Sequence, residues 1–232
     1  MTGRSLRSAR LARGWSQTEA AARLGLSQPY LAMLESGKRR LLPRLARRAM
    51  RVYGLPPTVI PPSSLAGAQV TMDNEALAKQ LAVLGYPGFA YLRPRGVEPR
   101  NPGEVLLAAL AQEDLEARLV EALPWLLLKY WDLDRTWLLR DTKTRDLQNR
   151  LGFVVSLARR LAERGAGDER RVRALRELEA ELGRSRLARE DTLCKSSLTE
   201  RERQWLLRYR PDEARYWNLL TDWCPEHLSY AA

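Results

Sequence analysis

Four uncharged side chains at the head of one short helical segment carry the most specific chemistry in this chain. In the stretch from Gly14 to Lys38, GWSQTEAAARLGLSQPYLAMLESGK, Leu31 and Leu34 stand three residues apart and share a buried face, which turns Gln28, Pro29, Ala32 and Met33 outward. Such a face suits base-pair edges better than water: a Gln amide bonds adenine N6 and N7 together, and an apolar group meets a thymine methyl. Gln28 is therefore the candidate base reader, with Pro29, Tyr30, Ala32 and Met33 shaping apolar or backbone contacts. Gln17, Ser27, Lys38, Arg39 and Arg40 are placed to grip phosphates on either side of the groove.

Other chemistries lack their residues. Cys194 and Cys224 are the only thiols and His227 the only imidazole, so there is no CxxC or His pair to hold zinc. Two free thiols are expected, and no metal or cofactor. Asp132, Asp134 and Asp141 read as helix caps and surface acids, and nothing beside Lys195-Ser196-Ser197 activates a hydroxyl. No Arg stands four to six residues before His227, as a helical RNase would want, and no HExxH occurs. No catalytic set is found, and the chain is not expected to be an enzyme. Trp125, Trp131, Trp137, Trp205, Trp217 and Trp223 all fall in the second half, where core packing is the expected role and a pocket near Trp125 and Trp131 the alternative.

Two helices and a tight turn must position the reading face. Ser16 caps the first, Glu19 completes a capping box, and Ala20, Ala21 and Leu24 form its apolar side. Gly25 ends it, Leu26 plugs the turn, and Ser27 caps the second helix, which opens with Gln28 and Pro29. A preceding helix carries Leu6 and Ala9 inward and Arg4, Arg7 and Arg13 outward; a fourth runs from Pro43 to Tyr53 and stops at Gly54.

With its Ser-Gln helix openings, turn glycine and closing Leu-Glu-x-Gly-Lys, the segment from about residue 5 to 55 resembles the Cro/repressor-type, or xenobiotic-response-element, helix-turn-helix family. The resemblance implies a λ-repressor-like domain of four or five helices that binds double-stranded DNA. It also implies a mostly buried ion pair between Arg10 and Glu35. Pro29 departs from the pattern by removing a donor beside the groove and leaves Gln28 as the main polar reader.

Charge divides along the chain accordingly. Residues 1 to 60 hold 12 of the 39 Lys and Arg but only 2 of the 28 acids, a net +10, while the rest holds 27 basic and 26 acidic residues, a net +1. A basic module of this kind neutralises phosphates. With no apolar run near membrane-spanning length and no leader pattern, a cytoplasmic protein is expected.

The predicted organisation is all-α: residues 1–55 as DNA-binding domain, 56–70 as a Pro-rich linker, and 71–232 as a larger helical domain for dimerisation or for sensing a partner or ligand. Ala66-Gly67 resembles the cleavage site of self-cleaving SOS-type repressors, but the helical reading from Thr71 does not fit their β-rich protease domain. The spacing predicts helices over about 73–84, 101–111, 113–122, 125–130, 134–139, 142–164, 168–182, 199–209 and 211–223, with an extended piece at 90–92. LPWLLLKY and LQNRLGFVVSLARRLAE weakly resemble regions of toxin-associated regulators. The expected function is a dimeric, sequence-specific regulator, a repressor on a palindromic operator. The alternatives are an antitoxin that holds a cognate toxin and a ligand sensor.

Overall fold

The computed structural model describes residues 3–62, 71–92, 94–165 and 168–228. It is almost wholly helical and divides into two units, Met1–Ala68 with Pro99–Asn101, and Gln69–Glu98 with Pro102–Ala232. Among the described residues, no helix is long and apolar enough to cross a membrane.

The first unit comprises α1 (Gly3–Ala12), α2 (Gln17–Leu24), α3 (Gln28–Glu35), α4 (Pro43–Tyr53) and a 3-10 turn at Pro57–Val59. Ser16 Oγ accepts from the Glu19 amide at 3.2 Å while Glu19 accepts from the Ser16 amide at 2.8 Å, so two otherwise orphaned donors are met reciprocally at the head of α2. Gly25, at φ +59°, closes α2 in the left-handed region. Leu6, Ala20, Leu24, Leu31, Leu34 and Ala49 meet in one core. Arg13, expected only to face outward, bonds the Tyr53 carbonyl through Nε at 3.2 Å and Nη2 at 2.6 Å, holding a cation at the C-terminus of α4. Gly3 sits where a Cβ would lie 2.2 Å from the Leu34 carbonyl oxygen, so α1 begins hard against the end of α3.

The stretch expected to open the linker holds the 3-10 turn at Pro57–Val59. Ile60 is buried and its carbonyl accepts from Asn101 Nδ2 at 2.6 Å, keeping the chain with the first unit through that turn. Ala66-Gly67 lies outside the described residues.

The second unit holds α5 (Asn74–Leu84), α6 (Pro102–Leu110), α7 (Ala117–Lys129), α8 (Arg135–Thr144), α9 (Gln148–Arg164), α10 (Glu169–Gly183), α11 (Glu200–Tyr209) and α12 (Asp212–Tyr216). The side chains of Asp73, Asp134, Asp168 and Thr199 accept the capping bonds of α5, α8, α10 and α11. α9 is the central element, packed against α7 and α10. Every residue of α6 is buried, as are Leu151 through Ala158 of α9.

Several boundaries differ from those the spacing predicts. The helices expected on either side of Pro124 are one, because Leu119, Leu123, Leu126 and Leu127 bury a continuous face that outweighs the missing N–H at Pro124. The helix expected to begin at Thr142 begins at Gln148, since Asp146 adopts φ +56° and separates α8 from α9. The piece expected to be extended at 90–92 belongs to a 3-10 turn at Pro87–Leu92. The last helix stops at Tyr216 instead of running to Trp223. Asn218, at φ +54°, turns the chain so that β2 (Leu219–Leu220) pairs in parallel with β1 (Asp191–Thr192). The Arg and Glu run of α10 reaches neighbouring helices: Glu179 pairs with Arg159, Arg176 with Glu163, and Glu177 and Glu181 with Arg135.

The tryptophans divide between core and surface. Trp125 packs edge-on to Tyr86 and Tyr130 in the core, and Trp131 lines only a hollow of about 140 Å³, so these two do not frame one pocket. Trp217 is fully buried, its indole N–H donating to Ser156 Oγ at 2.8 Å, and its ring fills the space where Gly152 has no Cβ. A Cβ at Gly152 would stand 2.4 Å from that ring. Gly152→Ala is therefore expected to destabilise the second unit by about 1 to 3 kcal/mol, the usual cost of overpacking, seen as a lower denaturation midpoint.

Candidate nucleic-acid interface

α3 is fixed through its buried side. Leu31 and Leu34 are buried, Gln28 and Pro29 are exposed, Ala32 and Met33 are half-buried, and Tyr30 packs partly against the core instead of projecting freely. Ser27 Oγ accepts the Tyr30 amide at 3.4 Å at the helix head. On the far side, Gly37 at φ +76° turns the chain back, and the Arg39 amide closes the loop on the Met33 carbonyl at 3.1 Å. Lys38, Arg39 and Arg40 are exposed beyond that turn.

Beneath this face lies a chain of four polar side chains. Arg10 of α1 grips Glu35 of α3 through both forks, Nε to Oε1 at 2.7 Å and Nη2 to Oε2 at 3.0 Å, with both side chains almost fully buried. Its Nη1 bonds the Trp15 carbonyl at 2.8 Å. Gln17 Nε2 donates to Glu35 Oε2 at 2.9 Å, and Gln28 Nε2 donates to Gln17 Oε1 at 2.7 Å. The direction of this relay is dictated by charge. A carboxylate accepts only, so Gln17 must offer Glu35 its NH2; its carbonyl oxygen then faces Gln28, which must donate in turn. The exposed Gln28 amide is left with its oxygen and one N–H unused, the pair that adenine N6 and N7 require. The Gln17 side chain is half-buried and engaged at both ends, with one N–H of its amide left over.

Burial pushes the Glu35 carboxyl up, but the bonds from Arg10 and Gln17 and the Arg10 charge outweigh it and hold the group below its ordinary range. Burial first, and the Glu35 charge second, push the Tyr53 phenol up. Spacing alone assigned no role to the arginines of α4, yet Arg44, Arg48 and Arg51 are exposed and enlarge the basic surface of this unit. The available signal was the density of arginine in PRLARRAMRVY. Trp15 was also passed over; it packs against Tyr53 with the Arg23 guanidinium 4.3 Å from its ring centroid.

A helix capped by Ser27, held through a buried ion pair and showing an oriented amide beside a cationic loop, defines a DNA-binding helix-turn-helix module. Residues 6–60 match the family model described as helix-turn-helix, and this domain is of the Cro/repressor type, the xenobiotic-response-element family. The chain thus carries the DNA-binding domain of a transcription regulator. No curated protein and no solved structure matches it.

Because the folded-state carboxyl of Glu35 is depressed, its contribution to stability is fully present above the ordinary Glu range, about pH 4.3, and is lost as pH falls through the lower folded value. Glu35→Gln is expected to leave the Arg10 charge buried without its counter-charge and to cost about 3 to 5 kcal/mol. Acid titration of amide exchange in the first unit should lose the limb due to Glu35 in this variant.

Proposed function

We propose that the protein is a repressor that binds a two-fold symmetric operator as a dimer, each copy placing α3 in a major groove. The observation that carries this reading is the Gln28 amide, exposed yet oriented through Gln17 by the buried Glu35. Gln28 reads an adenine; Pro29, Ala32 and Met33 give the adjoining apolar contacts, with Tyr30 buttressing the helix. Gln17, Ser27, Lys38, Arg39 and Arg40 hold the flanking phosphates.

One helix in one groove buries too little surface for tight selective binding, so two half-sites about 34 Å apart, or a multiple of that, are implied. Residues 1–55 and the turn that follows bind DNA, and the helical unit from residue 71 joins the copies. A protein working on the bacterial chromosome acts in the cytoplasm.

The full-length protein should shift the DNA upstream of its own gene at moderate ionic strength and protect two patches of it. Equal affinity for a scrambled duplex sinks the proposal. Gln28→Ala should flatten preference at one base pair per half-site, at about 1 to 3 kcal/mol, while Arg39→Ala should weaken all sequences alike and reduce the salt slope by about one. Gln17→Leu should fall between, lowering preference at the Gln28 base pair without altering the salt slope, as measured by competition binding with single-base operator variants.

A further inference from the structure

The second unit contains a cleft of about 910 Å³, within the range of about 300 to 1,000 Å³ typical of small-molecule sites. Its floor is apolar and buried, made by Val120 of α7, Leu193 beyond β1, Leu206 of α11 and Leu220 of β2. Glu202, Trp205 and Leu206 line one wall from a single face of α11, at i, i+3 and i+4, and Trp223 stands in the segment after β2.

Two features select the charge of an occupant. Asp114, Glu116, Glu202 and Asp222 line the cleft against only Lys195 and Arg201, a net of −2 in a chain whose total is +11. Lys195 is itself engaged by Glu202 at 3.3 Å. The second feature is the state of the aromatic faces. Several rings elsewhere carry one of the chain's own cations: Arg23 over Trp15 at 4.3 Å, Lys129 over Trp125 at 4.9 Å, Arg186 over Tyr216 at 4.6 Å and Arg208 over Tyr209 at 5.6 Å. Among the described residues, no such cation lies over Trp205, which is 50% exposed, or over Trp223.

We propose that this cleft binds a lipophilic organic cation, an onium or protonated amine on an apolar body. The body lies on the leucine and valine floor, and the charge meets the ring faces of Trp205 and Trp223 with Asp222 and Glu116 nearby. The site does not depend on DNA binding by the first unit, so either reading can fail alone.

The test uses tetraphenylphosphonium and its near-isosteric anion tetraphenylborate, each in equilibrium dialysis with the full-length protein. Attraction to net charge would favour the anion, whereas the proposal requires saturable binding of the cation and at least tenfold weaker binding of the anion. Trp205→Ala should weaken the cation by about tenfold. Arg201→Gln should tighten it by about two- to threefold, a gain that misfolding cannot mimic. No saturable cation binding, equal binding of the anion, or an unchanged affinity in both variants overturns the assignment.

Discussion

Burying a guanidinium with a carboxylate stabilises a fold only when the remaining donors and acceptors of both are met, and this condition shapes the first unit. Arg10 on α1 and Glu35 on α3 lie 25 residues apart in sequence and meet in a two-pronged bond, while the Trp15 carbonyl takes a third donor of Arg10 and Gln17 supplies a further donor to Glu35. The apolar core sets the distance between these helices; the pair sets which way round they sit. Since Gln17 and Gln28 follow from Glu35 by complementarity of donor and acceptor, an interior charge is expressed as the orientation of a surface amide. On the proposed reading the gap between structural and functional residues is therefore narrow, and Gln17 would belong to both groups.

The second unit solves a different problem. Its charges nearly cancel, and its helices are tied by cross-helix pairs and by one buried polar junction. There Trp217 donates to Ser156 Oγ, whose one O–H lies within reach of both Glu179 at 2.7 Å and the Gly152 carbonyl at 3.0 Å, joining the chain after α12 to α9 and α10. The indole N–H of a wholly buried Trp needs a partner, and the absence of a side chain at Gly152 makes room for the ring. A similar economy governs Arg150, which bonds Asp191 through two nitrogens at 2.8 Å and the Leu110 and Gln112 carbonyls at 2.9 Å.

Much of the first unit was legible because its signals are local. Ser16 with Glu19, Gly25, Ser27 with Pro29, and Pro43 with Gly54 each mark a helix end through bonds within a few residues, and α2, α3 and α4 end at these marks. The same holds for Asp73, Asp134 and Thr199 in the second unit. What spacing missed depends on partners remote in sequence. Pro124 looks like a helix start until the burial of its neighbours is known, and nothing local announces the bond from Asn101 to Ile60. The bond from Gln17 to Glu35, 18 residues away, is likewise invisible to spacing. Apolar period identifies the face of a helix, but not the left-handed residues at Asp146 and Asn218 that break it.

The relay behind Gln28 has a further consequence for discrimination. An unanchored glutamine is ambidextrous: it can swing its amide by half a turn and offer either donors or an acceptor to whatever it meets. Tethered to Gln17, it loses that freedom, and a purine bearing two acceptors, O6 and N7, would find oxygen facing oxygen. On the proposed reading of α3, handedness imposed from within the protein thus turns an adaptable side chain into one that would reject guanine as well as accept adenine.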